Sequence, residues 1–284
     1  MKKSSILVCL LPLSACSSWL EPPQSIGDVN AGFRYVAIDP LPVSFTNYST
    51  CTPRTTGQLP DLLDALHDLA SRVSTQQIDV DANAKIPVVS ASASGNKYEV
   101  TEDFIAYDET NLRFEVPSDL APDQAAPESP VHLRLLAQGE SPRDGNRSII
   151  VPVYVGVGLR LTAEVTVLKG NISIAGLGAL AAAVNANRIR GSMVAQSLGL
   201  TGPKIATIIP LSGDLNATTV QNAAVAIGSI KALIYTDDTQ RWPRVVGIHY
   251  PFAKISPAMV NAIVSALAAK PVPWKPCDTS GTSN

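Results

Sequence analysis

From Ile149 to Val167 every odd-numbered position is apolar: Ile149, Val151, Val153, Val155, Val157, Leu159, Leu161, Ala163, Val165 and Val167. The intervening even positions carry Pro152, Tyr154, Gly156, Gly158, Arg160, Thr162, Glu164 and Thr166. An unbroken period of two is the signature of a β-strand with one buried face. A tight hairpin inside the run would invert the parity, so the segment reads as one strand. At about 3.3 Å per residue it exceeds about 60 Å, far beyond a usual strand of about five or six residues. Gly156 and Gly158 mark where such a strand bends or meets a neighbouring backbone closely. The "GVG" they form is no nucleotide loop, since it lies in a strand pattern with no third glycine and no following helix.

Upstream, "KIPVVSASASGNKYEVTEDFIAYDE" reads as two strands joined at Gly95-Asn96, and "NLRFEVP" continues the second. "PDLLDALHDLASRVS" places Leu62, Leu66, Leu69 and Val73 on one helical face, which predicts a helix near 60–74 with Asp64, His67 and Asp68 on its solvated side. "PSDLAPDQAAPESP", with its prolines and acids, is an exposed loop or linker.

After residue 175 alanine-rich helical segments alternate with β-branched ones. Thr218 with Gln221 suggests a capping box, and Ser256-Pro257 an N-cap followed by proline at the first helical position. "GLGALAAAVNANRIRGSMVAQSLG" aligns with "TTVQNAAVAIGSIKALIY", matching Asn185-Ala186 to Asn222-Ala223 and Gly191-Ser192 to Gly228-Ser229, and a third "VNA" occurs at Val260 to Ala262. Duplication and chance similarity in alanine-rich sequence both account for this. The fold class expected is α+β, with a β-rich N-terminal half (antiparallel sheet or sandwich) and an alternating helix/strand C-terminal region. The expected organisation is a leader over 1–15, a tether over 16–30, a β-rich domain over 31–175, an α/β region over 176–270 and a tail over 271–284.

The leader begins with Lys2 and Lys3 and continues with an apolar segment from Ile6 to Leu13, too short to span a bilayer core that needs roughly 20 residues. It ends in "LSAC", Leu13-Ser14-Ala15-Cys16, which resembles the lipobox of bacterial lipoproteins. That resemblance implies cleavage before Cys16, lipidation of Cys16 and loss of Cys9 with the leader. Several acyl chains, each methylene contributing about 0.8 kcal/mol, give stable anchoring. Ser17, rather than Asp, follows the cysteine. Within this class of proteins that implies the outer membrane, most simply its periplasmic face.

Loss of Lys2 and Lys3 leaves 20 basic against 24 acidic residues, a net charge of −4 that disfavours nucleic acid as a partner. Cys51 and Cys277 are then the remaining thiols, and an oxidising envelope predicts a disulfide between them. Its loop of about 226 residues contributes on the order of 5 kcal/mol in the chain-entropy model. It would also hold the tail "PVPWKPC" against the N-terminal region.

No "GxSxG", "HExxH", "GxxxxGK[ST]" or "CxxC" occurs, and His67, His132 and His249 are scattered, so neither a metal nor a cofactor is expected. The functional expectation is a lipid-anchored, non-enzymatic binding module or structural subunit of an outer-membrane assembly, with a second copy or an envelope protein as partner. The competing class is an envelope hydrolase acting on peptidoglycan, polysaccharide or esters. A serine and an acid gathered near His249 would mark it.

Overall fold

The structure is a computed structural model and describes residues 35–45, 66, 69–79, 84–87, 95–120 and 131–274, other than 138, 171, 173–175, 210–212 and 253–255. It is a mixed α+β fold built on a sheet of ten strands. In chain order these strands are β1 (Tyr35–Phe45), β2 (Ala70–Asp79), β3 (Ala84–Pro87), β4 (Lys97–Pro117), β5 (Arg134–Leu135), β6 (Asn146–Val167), β7 (Ile189–Leu198), β9 (Gly213–Asp214), β11 (Arg244–His249) and β12 (Val272–Trp274). A separate two-stranded ladder joins β8 (Leu200–Thr201) to β10 (Gln240–Arg241). Among the described residues four helices accompany them: α1 (Leu177–Asn185), α2 (Pro203–Ile208), α3 (Ala217–Leu233) and α4 (Pro257–Ala268).

The main path of the sheet is β12-β1-β11-β6-β4-β2-β3, with β5 on β4 and β7 on β6. Strands from both halves of the chain therefore share one sheet, and the stretches expected as separate units over 31–175 and 176–270 are continuous through it. The alternating pattern in β6 is realised as a single strand of 22 residues, three residues longer at its start than the apolar run. It is paired along its whole length with the 21-residue β4, from Lys97 opposite Thr166 to Pro117 opposite Asn146. On its other edge the partner changes. β11 pairs with Val153 to Gly156, and β7 takes over from Gly158 to Val167. The exchange falls on the glycine pair.

Those glycines are set by backbone proximity. A Cβ at Gly158 would stand 2.8 Å from Ile105 Cα and closer still to the Phe104 carbonyl oxygen of β4. At Gly156 it would meet the Ala106 carbonyl and stand 3.0 Å from Tyr107 Cβ. Only hydrogen fits between two ladders approaching this closely.

One face of β6 serves two cores. Val157 to Val167 pack with Leu180 and Ala183 of α1 and Val220, Ala223, Ala226 and Ile230 of α3. Ile149 to Val155 pack instead with Met259, Ile263 and Leu267 of α4, and with Trp274. A long, right-twisted strand turns successive parts of one face toward different neighbours, so helices before and after β11 in the chain each find an apolar surface. Each fully buried aliphatic side chain, such as Leu159, contributes roughly 1.5–3 kcal/mol.

Helix ends are satisfied in three ways. Asn216 accepts from Thr219 N at 3.0 Å while the Thr219 hydroxyl accepts from Asn216 N at 2.9 Å. This capping box starts α3 two residues before the expected Thr218–Gln221 one. Ser256 caps α4, accepting from Met259 N at 3.5 Å, with Pro257 next as expected. α1 follows Gly176, whose side chain can cap nothing. The buried Glu102 carboxylate of β4 accepts from Leu177 N at 2.6 Å instead, and the Ser71 hydroxyl donates to its other oxygen at 2.5 Å. A sheet residue thus supplies the negative charge that a helix N-terminus favours.

Two local expectations are corrected, and the open repeat alignment is decided. The helix near 60–74 is a strand from Ala70 onward, β2, whose residues Ala70 to Ile78 pair with β4; most of the span before it lies outside the described residues. Leu66, Leu69 and Val73 do pack against the core, but Val73 does so by strand alternation. The long free edge of β4 outweighs a helical spacing of leucines, because ladder pairing is a tertiary gain that local propensity does not register. The hairpin at Gly95-Asn96 is also absent: β3 pairs with β2, and β2 lies between it and β4. Gly95 and Asn96 instead close the far end of β6, bonding Val167 O at 2.8 Å and Val167 N at 3.1 Å. Lastly, the aligned Gly-Ser pairs are not equivalent, since Gly191-Ser192 lies in β7 and Gly228-Ser229 lies in α3. Among the described residues a helix followed by a strand recurs four times, yet not in the register of the sequence match.

Gly158→Val is expected to destabilise the fold by about 3 kcal/mol through overpacking against β4. Gly228→Ala, where an added methyl meets open space on an exposed helix face, is expected to stabilise it by about 0.5–1 kcal/mol. Urea denaturation of the two variants compares them directly. Equal stabilities would show that β4 does not lie so close.

Candidate binding cleft

Across the middle of the sheet runs a row of residues in register: Arg72 of β2 opposite Asp103 of β4, Asp103 opposite Arg160 of β6, and Arg160 opposite Gln196 of β7. All lie on the face of β6 away from the two aliphatic cores. The alternation anticipates small or polar residues there, and the structure buries its centre from Tyr154 to Arg160. Tyr35, Arg72 and Tyr107 cover it.

Arg160 makes four contacts. Its Nε donates to Asp103 Oδ1 at 2.6 Å and its Nη2 to Asp103 Oδ2 at 2.7 Å, a bidentate pair with Asp103 wholly buried. Nη1 donates to the Ile38 carbonyl at 2.6 Å and Nη2 also to the Val246 carbonyl at 2.7 Å. Both carbonyls sit where strand registers shift, between Ala37 and Leu41 in β1 and between Val245 and Gly247 in β11. A bulge takes a residue out of the regular ladder, and Arg160 supplies the donor that the ladder does not. The Tyr35 hydroxyl donates to Asp103 Oδ2 and lies 3.3 Å from the Val246 oxygen. Burial, reinforced by the Asp103 charge, pushes the Tyr35 hydroxyl well above its ordinary pKa, so it stays protonated. For Arg160 burial acts to lower the pKa, but the hydrogen bonds and charge of Asp103 outweigh it and hold the guanidinium ionised.

Three tyrosines and a second arginine complete the cluster. The Tyr154 ring meets Tyr35 edge-on at 5.2 Å and Tyr107 at 5.3 Å. The Arg72 guanidinium lies 5.0 Å from the Tyr107 ring centre and 5.3 Å from that of Tyr154, and donates to the Tyr107 hydroxyl. Glycine makes room here too: a Cβ at Gly247 would fall on the Tyr35 ring.

Next to this cluster the same face opens into a cleft of about 580 Å³. Its sheet side carries Gln76, Lys85, Glu99, Thr101, Thr162 and Gln196, with Arg160 at the floor; Pro257, Val260, Asn261 and Val264 of α4 face them, and Ala37 to Asp39 of β1 close one end. Lys85 and Glu99 are already paired at 2.6 Å, as Arg160 and Asp103 are. By contrast, Gln76, Thr101, Thr162, Gln196 and Asn261 spend no side-chain hydrogen bond on any described residue. Apart from exposed Asp39 at one end, the cleft is a charge-compensated surface carrying five neutral groups with hydrogen-bonding capacity to offer.

Two other grooves differ in character. One of about 460 Å³ is mainly apolar, lined by Met193, Ala195, Ile208, Ile209 and Val225. The other, about 630 Å³, sets His132 beside Ser265 and Ala262 of α4 and, among the described residues, has no acidic residue in its lining.

Cys16, Cys51 and Cys277 lie outside the described residues, as do Asp64, His67 and Asp68. His249 is half-buried at the end of β11 opposite Tyr35 and lines none of the three grooves. Among the described residues no cluster of His, Cys, Asp or Glu is arranged to hold a metal ion. Tyr35, Arg72 and Asp103 went unsingled at the sequence level. Arg160 was visible as the lone basic residue on the small face of an apolar strand, directly after Gly156 and Gly158, and that is the signal that marks it. Comparison of the chain with protein-family models, curated proteins and solved structures gives no match.

Removing one partner of the central pair leaves a buried, uncompensated charge. Asp103→Leu and Arg160→Met are each expected to cost about 3–5 kcal/mol, with the double variant costing clearly less than their sum. Denaturant titration of all four proteins measures the coupling. Additive losses would show that the pair is not a unit.

Proposed function

We propose that the protein is a lipid-anchored, non-enzymatic binding module of the bacterial outer membrane, held at Cys16 on the periplasmic face and presenting the polar cleft as its binding site. The leader ending in "LSAC" supports the anchor. Among the described residues no helix is long and apolar enough to cross a membrane, a statement that leaves lipid anchoring open. The observation that carries the binding reading is the set of five uncommitted polar side chains over a floor immobilised by Arg160. A subunit packed by its small-residue surfaces would not need such a set. The hydrolase alternative gains nothing from His249, which does not line the cleft.

A photo-crosslinking amino acid in place of Thr162, in cells fed labelled fatty acid, tests both parts. The chain should carry the fatty acid and form an adduct on irradiation. Cys16→Ser should remove the label, and the same probe at Val225, on α3, should form no such adduct. Labelling that persists in Cys16→Ser sinks the anchor, and an absence of adduct at position 162 sinks the binding site.

The Cys51–Cys277 disulfide is proposed on the same footing. Its support is the parallel pairing of β12 with β1, Val43 opposite Val272 and Phe45 opposite Trp274. Trp274 is buried, and its Nε1 donates to Asp108 Oδ2 at 2.7 Å. Parallel strands leave a sheet in the same direction. Cys51 follows six residues after Phe45, and Cys277 three after Trp274. Non-reducing peptide mapping of protein from the envelope should join the two cysteines; free alkylation of both without reduction would remove the bridge.

A further inference from the structure

We propose that the ligand of this cleft is an uncharged, polyhydroxylated chain, a glycan, lying across the strands. The inference rests on the reading of the cleft as the binding site and adds the chemistry of what fills it. Thr101 and Thr162 are direct neighbours on β4 and β6, with Gln76 beside Glu99 on one side and Gln196 beside Arg160 on the other. Thr101 and Thr162 stand at the inter-strand step of about 4.8 Å, and Gln76 and Gln196, each offset by two residues along its strand, extend the row diagonally over four adjacent strands.

The Thr101–Thr162 step is close to the rise of a linked sugar ring and unlike the about 3.4 Å per residue of an extended peptide, whose groups also alternate in direction. A sugar hydroxyl both donates and accepts. So do the amides of Gln76, Gln196 and Asn261 and the hydroxyls of Thr101 and Thr162. Charge selects in the same sense. Lys85 and Arg160 are committed to Glu99 and Asp103, leaving no free cation among the described residues of the cleft lining for an anionic ligand, while exposed Asp39 adds a negative rim. Opposite the polar row, Pro257, Val260 and Val264 form an aliphatic wall suited to the C–H faces of sugar rings. A volume of about 580 Å³ admits a short oligosaccharide.

The test is titration of the full chain in mild detergent with a β-linked tetrasaccharide of N-acetylglucosamine and, separately, with N-acetyl-tetra-alanine amide. Saturable binding of the tetrasaccharide is expected. Gln196→Ala and Asn261→Ala should each weaken it by about threefold to tenfold, the effect of one lost neutral hydrogen bond. Thr162→Trp should abolish it with no change in melting temperature, and Val225→Ser should leave it unaltered. Failure of the tetrasaccharide to bind, or equal binding by Thr162→Trp, overturns the glycan assignment. If the position-162 adduct forms in cells while only the peptide binds in titration, the cleft stands as a binding site and the glycan is wrong.

Discussion

One buried guanidinium ties the sheet together. Arg160 joins β6 to Asp103 of β4, to the Ile38 carbonyl of β1 and to the Val246 carbonyl of β11. The two carbonyls come from irregular points in their strands, so the same bonds satisfy acceptors that register shifts turn away from the ladders. A buried ion pair is a poor source of net stability, since desolvation opposes the Coulomb attraction. Its value lies in specificity: a one-residue slip of β1 or β11 would leave a buried carbonyl and a guanidinium N–H without partners.

The curl of the sheet around this point depends on missing side chains as much as on present ones. Gly156, Gly158 and Gly247 sit where a Cβ would strike a neighbouring backbone or the Tyr35 ring. Removing that atom lets β4 close on β6 and lets tyrosine lie against the backbone of β11. The same region is where β6 exchanges β11 for β7. On the opposite face the aliphatic residues divide between two sets of helices, so the polar cluster and the two cores are consequences of one long, twisted strand.

The cleft inherits its character from this arrangement. Rigid ladders hold Thr101 and Thr162 side by side, and the adjacent charges are cancelled within the protein. What remains exposed to a ligand, beside Asp39 at the rim, is neutral hydrogen-bonding capacity in a fixed geometry. Such preorganisation limits the entropy lost on binding. α4, capped by Ser256 and packed through Met259 and Ile263 against the second core, is positioned to form the facing wall.

By itself the sequence determined the long strand from Ile149 to Val167, the face of it that is buried, the cap of α4 and the α+β class. Each rests on periodicity or on neighbours a few residues apart, which a chain carries before it folds. Tertiary structure decided that Ala70–Asp79 extends as a strand, because the edge of β4 was there to pair with it. It also decided that Gly95-Asn96 closes β6 rather than a hairpin, and that the even face of β6 is buried at its centre. The site belongs to this second group. Arg160 finds its partners 57, 86 and 122 residues away, two of them backbone carbonyls exposed only by strand irregularities, and no local pattern encodes which carbonyl a bulge will turn inward.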